Sequence, residues 1–217
     1  MTQPNQITTH TGFIIKHLGL VDYHVCWQAM KDFTANRTEQ TNDEIWLLQH
    51  PAVYTQGIAG KPEHLLYDNN IPVIKTDRGG QITYHAPGQL IVYLLLDIRR
   101  LELGVRELVR KMENAVIDLL NDYHIEAKGR IEAPGVYVGE AKVAALGLRI
   151  RNGCSYHGLS LNVDMDLSPF SEIDPCGYPG LQVTQTRNLG IGDDIGTLGE
   201  KLLDILQSNL QDKTHEQ

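Results

Sequence analysis

Cysteine is scarce in this chain. Its 217 residues hold three, at Cys26, Cys154 and Cys176, and no two form a C-x-x-C pair. An odd number without that spacing argues against a disulfide framework and against a structural zinc site. Residues 1–6 lack a basic stretch followed by an apolar core, so no export signal is read there. Reduced thiols without an export signal lead to the expectation of a cytoplasmic protein. Long apolar runs are missing too. The longest, residues 90–96, is closed by Asp97 and falls far short of the roughly 20 residues that span a bilayer, so no membrane association is expected. Basic charge is in deficit. Lys and Arg number 19 against 27 Asp and Glu, a net charge of −8, which makes a broad nucleic-acid footprint a poor fit. Neither G-x-x-x-x-G-K-[ST] nor G-x-G-x-x-G is present, which removes the common phosphate loops. Internal repeats and low-complexity segments are absent.

What remains is ordinary globular material, 41% hydrophobic and 21% charged. A chain of this length buries about 70% of its unfolded surface and folds without staples. Residues 13–18 read as a strand. Asp22 suits the cap of a helix with Cys26 or Trp27, Met30 and Phe33 on one face. Residues 45–48 read as a buried strand, 72–74 as an apolar run leading into a glycine-rich turn, and 90–96 as a central strand apolar on both faces. Apolar residues recur at steps of three and four from Val105 to Leu120, which predicts a helix over 105–123. Strand-like runs follow at 136–138, 143–150 and 156–163. Residues 168–187, punctuated by Pro169, Pro175, Gly177, Pro179 and Gly180, read as an irregular loop. A last helix is expected to start at Thr197 with Glu200 completing a capping box. Strands and helices mix without regular βαβ alternation. The fold class is therefore α+β, a mixed sheet with packed helices, and residues 1–217 read as one domain.

Four constellations could carry chemistry. Residues 77–89 set Arg78, Thr83, Tyr84, His85 and Gln89 around Gly79 and Gly80, where glycine lets backbone approach a ligand; the alternative is a polar hairpin turn. Lys142 stands at the mouth of an apolar strand, either solvated or beside a site where an ammonium stabilises an anion. Around Tyr156 and His157, alternation puts Leu159 and Leu161 on one face and Gly158, Ser160 and Asn162 on the other, as in a channel wall or in plain strand packing. Residues 173–180 hold Cys176 in a Pro/Gly-framed loop, which makes it the best-placed nucleophile of the three thiols. His10, His17 and His24 recur every seven residues, but without partners at ligand spacing they suggest no metal site.

Together these motifs resemble one family, the lipoyl(octanoyl) transferases. The resemblance rests on Arg78-Gly79-Gly80-Gln81-Ile82-Thr83-Tyr84-His85-x-x-Gly88-Gln89, on Lys142 before Ala145-Leu146-Gly147-Leu148-Arg149, on Tyr156-His157-Gly158-Leu159-Ser160-Leu161-Asn162, and on Asp174-Pro175-Cys176-Gly177. It covers residues 18–206 and implies the fold of the lipoate and biotin protein ligase catalytic domains. It implies an acyltransferase that moves octanoyl, or lipoyl, from acyl carrier protein to a lysine of lipoyl domains, those of 2-oxoacid dehydrogenase complexes and the glycine cleavage H protein. Carried over, Cys176 is the nucleophile and Lys142 its proton-shuttling neighbour. Arg78, Gly79, Gly80, Gln81, Ile82, Thr83, Tyr84, His85, Ala145, Leu146, Gly147, Gly158, Leu159 and Ser160 line the acyl pocket. No cofactor is expected, because the thioester is already activated. Rival readings are an ATP-dependent lipoate ligase on the same fold, a cysteine hydrolase with His85 or His157 as base, and a non-catalytic lipid-binding protein. Arg149 and Arg151, with Lys128 and Arg130, are expected to form a local basic patch for the acidic carrier.

Overall fold

The computed structural model describes residues 6–10, 12–67, 70–130, 133–174 and 180–212, with backbone alone for 6–10. Eleven strands and three α-helices are defined among them: β1 (Gln6–His10), β2 (Phe13–Leu20), α1 (Tyr23–Ala35), β3 (Asp43–Gln49), β4 (Val53–Gln56), β5 (Val73–Lys75), β6 (Ile82–His85), β7 (Gln89–Leu95), α2 (Val105–Asn121), β8 (Lys128–Gly129), β9 (Gly135–Val138), β10 (Ala141–Arg151), β11 (Cys154–Asn162) and α3 (Ile195–Gln211). The large sheet runs β1-β2-β3-β7-β11-β10-β9-β8 and the small one β5-β4-β6. Both are mixed: β2 pairs parallel to β3 and β4 parallel to β5, and the remaining neighbours are antiparallel.

Strand β7 sits inside the large sheet with every residue buried, as its unbroken apolar run requires. Its alternate side chains serve two layers. Leu90, Val92 and Leu94 join Leu159 and Leu161 of β11 against α2 and α3, whose Leu108, Met112, Leu119, Leu198, Leu202 and Leu206 are fully buried. Ile91, Tyr93 and Leu95 face the other way, toward Cys26 and Met30 of α1. A third cluster under the small sheet gathers Tyr54, Ile82, Tyr84, Phe170 and Ile173. Truncating a stripe residue such as Leu206 to Ala would cost about 2–5 kcal/mol.

Helix α1 is capped as its sequence predicts, with Asp22 accepting from the Val25 N–H at 3.1 Å. The α3 expectation needs correction. The cap is Asp194, which accepts from the Thr197 N–H at 2.8 Å, and the helix begins at Ile195. Thr197 is thus in the first turn; the carboxylate three residues ahead outcompetes its hydroxyl as the acceptor for orphan N–H groups. The stretch over 168–187 is not wholly irregular, since Ser168–Glu172 forms a 3₁₀ helix and Thr186–Leu189 another. Strands β1, β4, β6 and β8 have no counterpart in the sequence expectation. Strand β4 (Val-Tyr-Thr-Gln) and β6 (Ile-Thr-Tyr-His) mix polar with apolar residues and so show no strand period, although all of their residues except Thr83 are buried.

Candidate active site

A cleft opens on the α1 side of the large sheet, beneath the loop that leads into β6, and encloses about 770 Å³ of atom-free space including its mouth. Of the residues expected there, Arg78, Gly80, Gln81, Ile82, Thr83, His85, Lys142, Ala145, Leu146, Gly147, Gly158, Leu159 and Ser160 line it. Gly79 and Tyr84 do not. The Gly79 N–H donates to Leu148 O at 2.9 Å, fastening the loop to β10. The Tyr84 ring lies in the small-sheet cluster, 5.5 Å from Phe170 between centroids. Cys176 lies outside the described residues. Its described flanks are tied down: the Asp174 N–H donates to His64 O at 2.8 Å, and downstream the Thr184 N–H donates to Lys142 O at 2.9 Å.

Arg78 is buried, and its guanidinium serves the main chain. It donates to Thr55 O at 2.6 Å, to Gly79 O and Gln81 O at 2.8 Å, and to Thr55 Oγ1. One charge thereby straps the glycine-rich loop to β4. The preceding residue makes a second knot. Asp77 accepts from Trp27 Nε1 of α1 at 2.8 Å, from the Tyr156 hydroxyl, and from His157 Nε2 at 3.3 Å. Partial burial pushes this carboxyl up, but the three donors outweigh it and hold the pKa well below the usual carboxylate range.

Lys142 is 4% exposed. Its ammonium donates to Pro134 O at 3.1 Å and lies 5.2 Å from the Tyr137 ring centroid. Gly135 is what lets it pass: a Cβ there would sit 2.8 Å from Lys142 Cε and 2.7 Å from Ala144 O. The main chain of Lys142 also receives the segment that follows Cys176 in sequence, donating its N–H to Gln182 O at 2.8 Å.

The cleft floor is polar. His85 Nδ1 pairs with Gln89 Oε1 at 2.7 Å and Nε2 with Thr55 Oγ1 at 3.2 Å. Gln89 reaches on to Asn162 Oδ1 at 2.8 Å. Behind it, His50 bonds Val21 O at 2.6 Å and the Tyr93 hydroxyl at 2.8 Å. Burial lowers His85 to about 3 and His50 to about 4, so both rings are neutral at physiological pH. Small residues on β11 have separate reasons. A Cβ on Gly158 would fall 2.1 Å from Val92 O, so this glycine permits a close backbone approach, whereas Ser160 and Asn162 face the cleft. The sequence reading did not assign Tyr23, Gln89, Ile91, Tyr93, Pro134, Ala144, His157, Phe170 or Val183 to the pocket, yet all line it, as does Asn162, which it had read only as part of a possible channel wall. Gln89, His157 and Asn162 sat inside the quoted motifs. Tyr23 and Tyr93 gave only the faint signal of polar-tipped rings within apolar stretches. Among the described residues, no group of three or more His, Cys, Asp or Glu could hold a metal ion, and no helix is long and apolar enough to cross a membrane.

Residues 22–199 match the lipoyl protein ligase A/B catalytic domain. An octanoyltransferase of Nitrosospira multiformis is 65% identical over 201 residues, covering 93% of this chain and 94% of its own. One of Chromobacterium violaceum is 61% identical over 197 residues, covering 91% and 95%. The chain belongs to the octanoyltransferase family. Its fold extends to more distant proteins. A lipoate-protein ligase A bound with ATP superposes with a TM-score of 0.75 at 15% identity, over 94% of this chain and 87% of that one. The biotin protein ligase of Aquifex aeolicus gives 0.54 at 14% identity, over 94% and 70%. Within the octanoyltransferases, then, this chain is an acyltransferase whose motif residues converge from β6, β10 and β11 on one cleft.

Proposed function

We propose that this octanoyltransferase takes an octanoyl group from acyl carrier protein and delivers it to the ε-amino group of a lysine on lipoyl domains, through a thioester on Cys176. Lys142 carries the reading. It is a cation held in the wall of the cleft by Pro134 O, and its main chain is bonded to residues 182 and 184, a few positions beyond Cys176. An ammonium beside a thiol favours the thiolate. In the first half-reaction the Cys176 thiolate attacks the carrier's thioester carbonyl. The C–S bond to pantetheine breaks, and Lys142 gives its proton to the departing sulfur. In the second, the acceptor amine attacks the acyl-enzyme, Lys142 takes a proton back, and the Cys176 thiolate is restored. The thioester supplies the activation, so no nucleotide enters.

The cleft suits an acyl chain in part, since Ala144, Leu146 and Leu159 offer apolar wall while His85, Gln89 and Tyr93 make its floor polar. Burying the seven carbons beyond the carbonyl would contribute roughly 5 kcal/mol. A polar floor disfavours longer chains, which would press methylenes against buried hydrogen-bonding groups. The acidic carrier would meet Arg149 and Arg151. Arg130 does not extend that patch, because it is paired with Glu140 at 2.7 Å and stacked 4.1 Å from the Tyr137 centroid. Lipoyl domains of 2-oxoacid dehydrogenase complexes and the glycine cleavage H protein are the acceptors this reading names, and the cytoplasm its compartment.

The test is intact mass spectrometry after incubation with octanoyl-acyl carrier protein, without ATP. One added octanoyl mass, mapped to Cys176, released by neutral hydroxylamine and lost in Cys176→Ser, is expected. A label on Cys26 or Cys154, or strict dependence on ATP, would overturn the assignment. The buried Cys26 thiol, pushed up to about 12 by desolvation, is a poor competitor at pH 7.

A further inference from the structure

The carbonyl that holds the Lys142 ammonium belongs to a peptide unit gripped from its other side. That unit joins Pro134 to Gly135. Its oxygen accepts from Lys142 Nζ at 3.1 Å, and its N–H donates to Glu113 Oε1 of α2, also at 3.1 Å. No cis peptide bond occurs among the described residues, and in a trans peptide the C=O and N–H point in opposite directions. A cation and a carboxylate therefore stand at the two ends of one amide dipole, each at the end that attracts it. Hydrogen bonds in series polarise one another, so the carboxylate makes Pro134 O a stronger acceptor for the ammonium.

Glu113 is unusual for a residue in the middle of a helix. Met112 and Val116 beside it are fully buried in the core. Glu113 itself is half-buried, and its carboxyl reaches the first residue of β9 and the end of β8. A Cβ on Gly129 would stand 3.1 Å from Glu113 Oε2, so glycine there leaves the carboxyl its room. Among the described residues the Gly135 N–H is its sole hydrogen-bond donor, and no cation forms an ion pair with it. Desolvation pushes this carboxyl up, while the Gly135 N–H and the Lys142 charge oppose the rise. A solvated glutamate would escape that cost. A plain structural tie between α2 and β9 would account for the N–H but not for the lysine lying on the same glycine. A Cβ at Gly135 would stand 2.8 Å from Lys142 Cε and 3.1 Å from Nζ. Any turn of this peptide thus moves the acceptor of the ammonium and the surface it lies on together. A lysine stem is flexible, and its ammonium is only as fixed as the acceptors around it.

We infer that Glu113 is a positioning residue for Lys142: by holding the Gly135 N–H it fixes the Pro134–Gly135 peptide, and with it the ammonium in the cleft wall. Glu113 does not line the cleft; it acts from the helix layer behind the large sheet. The inference rests on the reading above, in which Lys142 serves the acyl transfer, and adds a residue to it.

The experiment compares wild type, Glu113→Ala and Glu113→Gln, and repeats Glu113→Ala in a Lys142→Ala background. Two readouts are taken at a temperature where every form is folded. One is turnover with octanoyl-acyl carrier protein and a lipoyl domain. The other is the rate of Cys176 alkylation by iodoacetamide at pH 7, mapped by peptide mass spectrometry. In Glu113→Ala, turnover should fall about ten-fold or more, the coupling expected of directly linked residues, with KM for the carrier within about two-fold. Alkylation of Cys176 should slow as well. Glu113→Gln keeps an oxygen for the Gly135 N–H and should stay within about three-fold of wild-type turnover. With Lys142 already gone, removing Glu113 should change neither readout by more than about two-fold. Wild-type turnover in Glu113→Ala would overturn the inference. So would equal losses in the alanine and glutamine variants, or an undiminished loss in the Lys142→Ala background, which would mean a disturbed sheet. A Lys142→Ala variant with wild-type turnover and alkylation would overturn the parent reading along with this one, a result separate from the others.

Discussion

Replacing Arg78 by lysine separates two roles for a residue that the family motif places in the acyl pocket. The guanidinium donates to four acceptor atoms, Thr55 O, Thr55 Oγ1, Gly79 O and Gln81 O. They spread around a planar fork that a single ammonium cannot reproduce. Lysine keeps the charge and can reach only some of them. Losing two charge-assisted bonds, at about 1.5–3 kcal/mol each, costs about 3–6 kcal/mol. For a chain of this size one kcal/mol lowers Tm by about 2–4 °C. A thermal melt of Arg78→Lys should therefore fall by about 6–24 °C relative to wild type. At a temperature where both are folded, turnover should fall too, because the strap positions Gly80 and Gln81 over the cleft. A Tm within about 2 °C of wild type, together with a raised KM for the acyl donor, would refute the reasoning. It would mean that the side chain acts on substrate and that the main-chain bonds are dispensable.

Gly135→Ala should cut turnover at least ten-fold in a folded protein by displacing the Lys142 side chain, which its Cβ would meet at 2.8 Å. Gly139→Ala, also at positive φ but with open space around it, should keep near-normal turnover; equal losses in both would mean that backbone strain alone is responsible. Lys142→Ala should raise the apparent pKa for alkylation of Cys176, and an unchanged profile in a folded variant would contradict the pairing. Reversing Arg149 and Arg151 to glutamate should raise KM for acyl carrier protein and leave a free octanoyl-pantetheine thioester equally good; an unchanged KM would reduce these arginines to a solvated surface. Stability should fall with acid before the carboxylates titrate. His50 and His85 have folded pKa values lowered to about 4 and about 3, so the unfolded chain binds more protons, and the stabilisation present above pH 6.5 is lost as pH drops toward 4. Urea midpoints at pH 7.5 and 5 measure this, and His50→Gln should flatten the difference; no drop at pH 5 in wild type would contradict the buried neutral rings.

Much of the frame was legible from local chemistry. The run over 90–96 read as an interior strand from its length and unbroken apolar character, and the stripe from Leu108 to Leu120 as a helix against a core, because its periodicity states which face must leave water. Asp22 announced α1 in the same way. Four motifs were enough to point to the family, and the side chains of Lys142, Thr83, His85 and Ser160 all reach the cleft. Tertiary structure decided what depends on groups distant in sequence. The small sheet was missed because Tyr54 and Tyr84 are buried against Phe170 and Ile173, partners about ninety or more positions downstream. No local pattern distinguished Asp194 from Thr197 as the cap of α3. Glycine at 158 does line the cleft, and tertiary structure added a second reason for it, Val92 O lying 2.1 Å from where a side chain would begin. Arg78 turned out to bond the main-chain oxygen and the hydroxyl of Thr55, 23 positions away, and Asp77 found its partners in Trp27, Tyr156 and His157, 50 to 80 positions distant. Hydrophobic pattern is written residue by residue, so sequence alone determines which segments pack. Hydrogen-bond partners and close approaches are properties of pairs, and those pairs exist only once the sheets have brought β6, β10 and β11 around one cleft.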